Sequence, residues 1–321
     1  MPGSAGVGAH VLRRLAAVVP TLLGLTILAF GVANLAPGDP AAEYLRRATG
    51  RQPTLVEVRQ QRHVMGLDRP LVAQYLTWVG RASRGDLGVS FSTRQPVRAE
   101  LLRRIPFTLQ LAVPAALLAL LIAVPAGIAS AVNPNRLLDQ ALRVGSLAGA
   151  SMPSFWLALL LIMVFAVRWS LVPVAGRAGL SSVVLPVVTL ALAPAAVLAR
   201  FTRSAMMETL GEDYVVTARA KGLSPWLVVG RHAFRNALIP VITAFATSLG
   251  FLISGAVVIE TIFVWPGVGT LVLDAIQARD YPMIQGFVLY TGLAFLLINL
   301  VVDLSYLLLD PRVTLAAPEA S

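Results

Sequence analysis

Stretches of roughly twenty consecutive apolar residues recur along this chain, and no other feature constrains its fold so tightly. Each can cross about 30 Å of hydrocarbon as an α-helix, which satisfies its own backbone polar groups where no water can. Of the 321 residues, 57% are hydrophobic and 13% charged, and an ordinary soluble domain carries about a quarter charged residues. The expected fold class is therefore an all-α polytopic membrane protein. Six spans are read at 11–35, 105–131, 142–167, 183–206, 238–261 and 284–309. An even number puts both termini on one side.

Composition excludes several functions. There is no cysteine, so disulfides and thiolate metal sites are absent, and His10, His63 and His232 are too dispersed to suggest a metal site. The net charge of +10 does not point to nucleic acid, because the arginines cluster in loops flanking apolar spans and no nucleic-acid motif is present. Arg13 and Arg14 precede the first span, which is longer than a signal-peptide core and lacks a small-residue cleavage site. An uncleaved signal anchor is expected over 1–35.

A polar stretch follows at 36–104, with weak helical periodicity near 55–65 and 71–79, and reads as a small extramembrane domain. Orientation comes from the short loops. Arg136, Arg143, Arg200, Arg203, Arg219, Lys221, Arg231, Arg235 and Arg312 fall on the side of Arg13 and Arg14, against Arg168, Arg177 and Arg279 on the other. The 12 arginines of 36–104 do not count, since loops beyond about 60 residues translocate largely regardless of charge. Both termini and the loop at 207–237 are expected in the cytoplasm, and 36–104 outside it.

That loop is a polar island between two apolar spans. It holds Lys221, the only lysine. A phosphate-binding P-loop needs lysine followed by serine or threonine, and Lys221 is followed by Gly222. If the protein runs on ATP, the ATPase is another chain. Glu208, Glu212 and Asp213 come first in the island and Arg219, Lys221 and Arg231 last, an order that complements a helix dipole. Gly222, Ser224 and Pro225 interrupt the pattern and predict a helix, a tight turn and a second helix starting at Pro225. Such an element either docks on a partner or anchors the loop at the membrane interface, and the residues alone leave both open.

The strings TARAKG at 217–222 and HAFRNALIP at 232–240 resemble the cytoplasmic EAA-type loop of ABC importer permeases, in the dipeptide/oligopeptide/nickel branch. Val216 stands where the general pattern has glutamate, and Arg235 where it has a later proline. The resemblance extends over nearly the whole chain: LAPGDP at 35–40, GLDRP at 66–70, GDLG at 85–88, ETIF at 260–263, PGVG at 266–269 and DPR at 310–312 are all similar to the first-permease-subunit type. It implies a permease domain over 105–312 with a short cytoplasmic tail at 313–321. It implies further that Asp213, Thr217, Ala218, Arg219, Ala220, Lys221, Gly222, Leu223 and Ser224 form a coupling helix seated on an ATPase.

Polar residues inside or beside the spans are candidates for the pathway or its gate. Asp303, with Asn299 one turn earlier, lies in the last span, where a carboxylate is costly to bury. Pairing with Arg200 or Arg203 is the structural alternative. Glu260 precedes a stretch with Pro266 and Gly267 that argues for a bend or short re-entrant element. Its alternative role is to accept backbone donors and fix that turn. Pro114, Pro125, Pro153, Pro186 and Pro194 favour kinks, and the small-residue run at 144–154 permits close helix packing.

Taken with the resemblance, the chain is expected to be a transport subunit of a binding-protein-dependent ABC importer for dipeptides or oligopeptides, with no catalysis of its own. The resemblance implies a second permease chain, two ATPase chains carrying ATP and magnesium, and an extracytoplasmic binding protein. A metal-chelate importer of the same family is one alternative. An ion-coupled secondary transporter is another, disfavoured because no inverted repeat is seen and acidic residues are nearly absent from the spans. A structural membrane anchor would not need the full set of motifs.

Overall fold

The computed structural model describes residues 19–32, 34 and 38–309, including the side chains of all of these except 251, 253–255 and 302–309. Among the described residues there is no β-strand, only an isolated antiparallel bridge between Val89 and Pro96. The helices are α1 (Val19–Val32), α2 (Pro40–Thr49), α3 (Leu55–Val64), α4 (Leu71–Ala82), α5 (Val97–Val132), α6 (Leu137–Ser151) and α7 (Ser154–Leu161). They continue with α8 (Ser181–Leu210), α9 (Asp213–Ala220), α10 (Pro225–Leu227), α11 (Phe234–Ile262), α12 (Val268–Gln277) and α13 (Tyr281–Leu309). Wider π-helical turns prolong α7 over Ile162–Arg168 and join α10 to α11 over Val228–Ala233.

Among the described residues, α5, α8 and α13 are long and apolar enough to cross a membrane, and α6 with α7 makes a fourth span if the bent pair counts as one. At 36 residues, α5 is about 54 Å long, well beyond the hydrocarbon thickness, so its charged start at Arg98, Glu100, Arg103 and Arg104 stands clear of an apolar core.

The chain divides into two compact units. One comprises the described residues through Phe107 with Pro266–Leu297. Its local signals are strong. Asp39 caps α2 through Ala41 N at 2.9 Å, with Pro40 in the first turn and Gly50 left-handed at the end. Thr54 and Glu57 form a reciprocal capping box at the start of α3. Helix α2 is an addition to the sequence reading, which found helical periodicity only over α3 and α4. Val97 and Leu101 of α5 pack with Val268, Leu271 and Ala275 of α12 and Met283 of α13. Buried Asp280 accepts from Ser90 Oγ, from Ser92 N at 3.0 Å and Ser92 Oγ at 2.7 Å, and from Met283 N at 3.3 Å. The loop before α5 is thereby tied to the start of α13.

The other unit comprises Thr108–Trp265 and the described residues from Ile298. Helix α8 is its centre, packed against α6, α7 and α11. Small residues set the spacing. A Cβ on Gly127 of α5 would meet Ala199 O and Thr202 Cγ2 of α8 at 2.8 Å, so the two backbones touch where only glycine fits. The expected single span at 142–167 is instead two helices bent by 103° at Met152 and Pro153. Pro153 has no N–H to donate and biases Met152 to extended backbone (ψ 122°), which ends α6. Pro114, Pro125, Pro186 and Pro194 lie within continuous helices instead.

Candidate functional site

The site is the helix–turn–helix from Asp213 to the start of α11, and its conformation follows from a few residues. Helix α9 opens with Asp213 in its first turn and carries Arg219 in its last, matching the dipole. It ends in a Schellman arrangement: Gly222 N donates to Arg219 O at 3.0 Å and Leu223 N to Ala218 O at 3.4 Å. Gly222 sits at φ +75°, the left-handed region that favours glycine. Ser224 then caps the next helix with its carbonyl, accepting from Leu227 N at 3.0 Å and Val228 N at 3.1 Å, with Pro225 at the first helical position.

One apolar seam holds the two helices together. Val215, Ala218 and Val228 are buried against each other, with Leu210 and Leu223 partly buried alongside. A second tie runs from Asn236 Nδ2 to the Tyr214 hydroxyl at 2.6 Å. Thr217 Oγ1 donates back to Asp213 O at 2.8 Å. Most of the rest of the element faces outward: Asp213, Tyr214, Val216, Thr217, Arg219, Ala220, Lys221, Gly222, Ser224 and Trp226 are exposed. Trp226 is 85% exposed, an expensive way to leave an aromatic side chain unless a surface covers it. The arrangement offers a rigid, mixed-charge knob with an aromatic at its tip.

Of the residues singled out in the sequence, the nine coupling candidates fall on this one element, with only Ala218 buried and Leu223 partly so. Glu260 is on α11, fully buried, and accepts from Thr108 Oγ1 of α5 at 2.6 Å; its backbone carbonyl accepts from Trp265 N at 2.7 Å. Pro266 and Gly267 lead into α12, where Gly267 is the residue before the first turn. Asn299 is half-buried on α13, and the side chain of Asp303 lies outside the described residues. Arg203, offered as a partner for Asp303, forms a two-point ion pair with Asp139 of α6. The sequence reading passed over Asp139, three residues after Arg136 in a polar turn. Its signal was an acidic residue in a helix's first turn, with an arginine near the end of a later apolar helix.

Among the described residues no group of three or more histidine, aspartate or glutamate side chains is placed to hold a metal ion.

Comparison with known proteins bears on this geometry directly. Residues 123–315 match the family model described as binding-protein-dependent transport system inner membrane component. Residues 9–112 match the model for the N-terminal part of such membrane components. The chain is 42% identical to the di/tripeptide transport system permease protein of Pseudomonas aeruginosa (strain UCBPP-PA14), over 94% of this chain and 98% of that protein. It is 38% identical to the dipeptide transport system permease protein of Escherichia coli (strain K12), over 94% and 98%. It is 40% identical to the glutathione transport system permease protein of the same strain, over 95% and 98%. In fold it is similar to a chain of the MetNI methionine ABC transporter in an inward-facing conformation, with a TM-score of 0.55 at 19% identity, over 65% of this chain and 96% of that one.

Proposed function

Because the chain belongs to the binding-protein-dependent transport system inner membrane component family, we propose that it is one membrane-spanning subunit of an ATP-driven importer of short peptides. The relatives at about 40% identity are named for dipeptides, di/tripeptides and glutathione, itself a tripeptide. In this reading six spans place both termini and the α9–α10 element in the cytoplasm and residues 36–104 outside. A second permease chain completes the pore, two ATPase chains bind ATP and magnesium, and an external binding protein delivers the peptide.

The observation that carries the proposal is the exposed helix–turn–helix stapled by Val215, Ala218 and Val228. Seated in a groove of an ATPase subunit, this element transmits the movement of that subunit as a rigid body, because its seam and its Asn236–Tyr214 bond resist bending. Closure of the two ATPases on ATP then draws the paired elements together, and the helices following them re-orient the pore. The role of the chain is mechanical transmission.

The deciding experiment is purification of the tagged chain from its native membrane in mild detergent, followed by peptide uptake with the recovered complex in proteoliposomes. Recovery with a second permease and P-loop ATPases, and uptake dependent on ATP and binding protein, is the expected result. A chain recovered alone, with uptake driven by a proton or sodium gradient, overturns the proposal.

A further inference from the structure

A cavity of about 850 Å³ lies within the unit that contains α1–α4, inside the range of about 300–1,000 Å³ typical of small-molecule sites. Phe30 and Asn34, at the end of the apolar helix α1, form part of its wall, and Arg69, Trp78, Arg81 and Tyr281 form another part. Two of these side chains are incomplete. The Trp78 Nε1–H and the Tyr281 hydroxyl are buried without a hydrogen-bond partner among the described residues, and Tyr281 as a whole is 6% exposed. Buried polar groups are nearly always paired, and an orphan calls for an explanation.

The chemistry of the missing partner is constrained. An indole N–H only donates, and so does a guanidinium, so what is missing is an acceptor. The charged residues of the wall favour an anion. Arg62 is already paired with Asp39 at 2.9 Å and Arg81 with Asp86 at 2.8 Å, whereas Arg69 forms no salt bridge among the described residues.

The position supplies the rest of the ligand. Phe30 of α1 packs edge-on against Tyr75 at 5.5 Å and lies 6.1 Å from Trp78, so the cavity adjoins the end of the apolar helix α1, read from the sequence as part of the first span. On that helix Leu23, Ile27 and Leu28 are exposed, a ready surface for hydrocarbon chains. Tryptophan and tyrosine at such a level, with a basic residue beside them, suit a phospholipid headgroup.

We propose that a phospholipid occupies this cavity, its phosphate accepting from Trp78 Nε1–H, the Tyr281 hydroxyl and Arg69, and its acyl chains running along α1. The inference rests on the six-span reading for the placement of α1 in the membrane, but not on the importer activity. The site would hold the extramembrane helices against the membrane through a bound lipid.

The test uses the full-length chain purified in detergent, with its co-purifying partners. Its thermal unfolding and native mass spectrum are followed while phosphatidylglycerol, inorganic phosphate or a dipeptide is added. Phosphatidylglycerol is expected to be retained and to raise the unfolding temperature. Tyr281→Phe combined with Trp78→Phe, or Arg69→Gln alone at an exposed position, should weaken lipid binding at least tenfold. Tyr281→Phe keeps the ring and removes only the orphan hydroxyl, whereas Trp78→Phe also trims the indole and should cost some stability without lipid, so lipid affinity is the readout for the double variant. Equal lipid affinity in parent and variants overturns the proposal. So does inorganic phosphate binding as tightly as the lipid, which assigns a free anion, or stabilisation by the dipeptide alone, which assigns a peptide site.

Discussion

Arg203 of α8 forks onto Asp139 of α6, Nε to Oδ1 at 2.7 Å and Nη2 to Oδ2 at 2.9 Å, with the carboxylate wholly buried. Ser130 Oγ of α5 and the backbone N–H of Asn135, the latter at 2.9 Å, donate to the same group. One carboxylate thus collects donors from α5, the turn after it and α8, the last in the bidentate geometry that makes arginine pairs strong. Asp139→Asn would leave the guanidinium mostly buried without a counter-charge. We expect it to destabilise the chain by about 3 kcal/mol. Arg203→Lys keeps the charge, loses the fork and should cost less. Thermal unfolding of the purified variants in detergent measures both, and an Asp139→Asn protein as stable as the parent removes the pair from the stability of this unit.

Gly222 separates conformation from contact at the proposed docking element. A Cβ there would meet nothing within 4 Å, yet the backbone is left-handed at φ +75°. A substitution therefore costs strain rather than a clash, about 1–2 kcal/mol for an ordinary residue and least for asparagine, which tolerates this region. If the turn transmits force through its shape, Gly222→Asn should retain peptide uptake and Gly222→Val should lose most of it while still inserting in the membrane. ATPase activity that no longer responds to peptide in the Val variant is the accompanying signature. Loss of uptake in both variants would mean that the partner packs directly on the bare glycine.

The helical class was legible because apolar runs of this length admit little else. The helix–turn–helix at 213–227 was legible down to its turn, since Gly222, Ser224 and Pro225 are local signals that act within a few residues. Contacts between distant segments were not. The pairing of Asp139 with Arg203 spans 64 positions, and Thr108 meets Glu260 across 152; no local pattern encodes either. The bend at Pro153 was half legible. A proline favours a kink, but only the packing around α8 decides that this one turns the chain by 103° while Pro186 and Pro194 sit in a continuous helix.

The helices before α5 should loosen in acid. Arg46 hydrogen bonds first, and Arg47 as well, hold the Glu43 carboxyl below its usual range. The Arg51 guanidinium and the Thr54 cap push Glu57 down to about 2. A carboxyl lowered by folding contributes stability above its unfolded value of about 4.3 and loses it as pH falls through the folded value. The window for Glu57 therefore runs from about 4.3 down to about 2. Hydrogen exchange of α2 and α3 amides, corrected for intrinsic rates, should show protection constant from pH 7 to 5 and falling below pH 4. In Glu57→Gln the acid-dependent part for α3 should flatten. An unchanged acid profile in that variant would mean the ion pair does not hold α3.

Trp226 distinguishes the two readings of the polar island. At 85% exposure it makes few contacts within the chain, so Trp226→Ala should leave the unfolding temperature unchanged. A tryptophan at the centre of a docked interface typically costs 2 kcal/mol or more on truncation, which is roughly a 30-fold loss of affinity. We expect a loss of that size in titrations of purified ATPase subunits onto the detergent-solubilised chain. An element that merely anchors the loop in the headgroup region would respond differently: ATPase affinity would be unchanged. The emission of Trp226, taken as the difference between the parent and Trp226→Phe because the chain has five tryptophans, would already be blue-shifted by lipid and would not move when the ATPase is added. A shift in that difference emission on adding ATPase, absent from Trp226→Phe, places the indole in the interface with that partner.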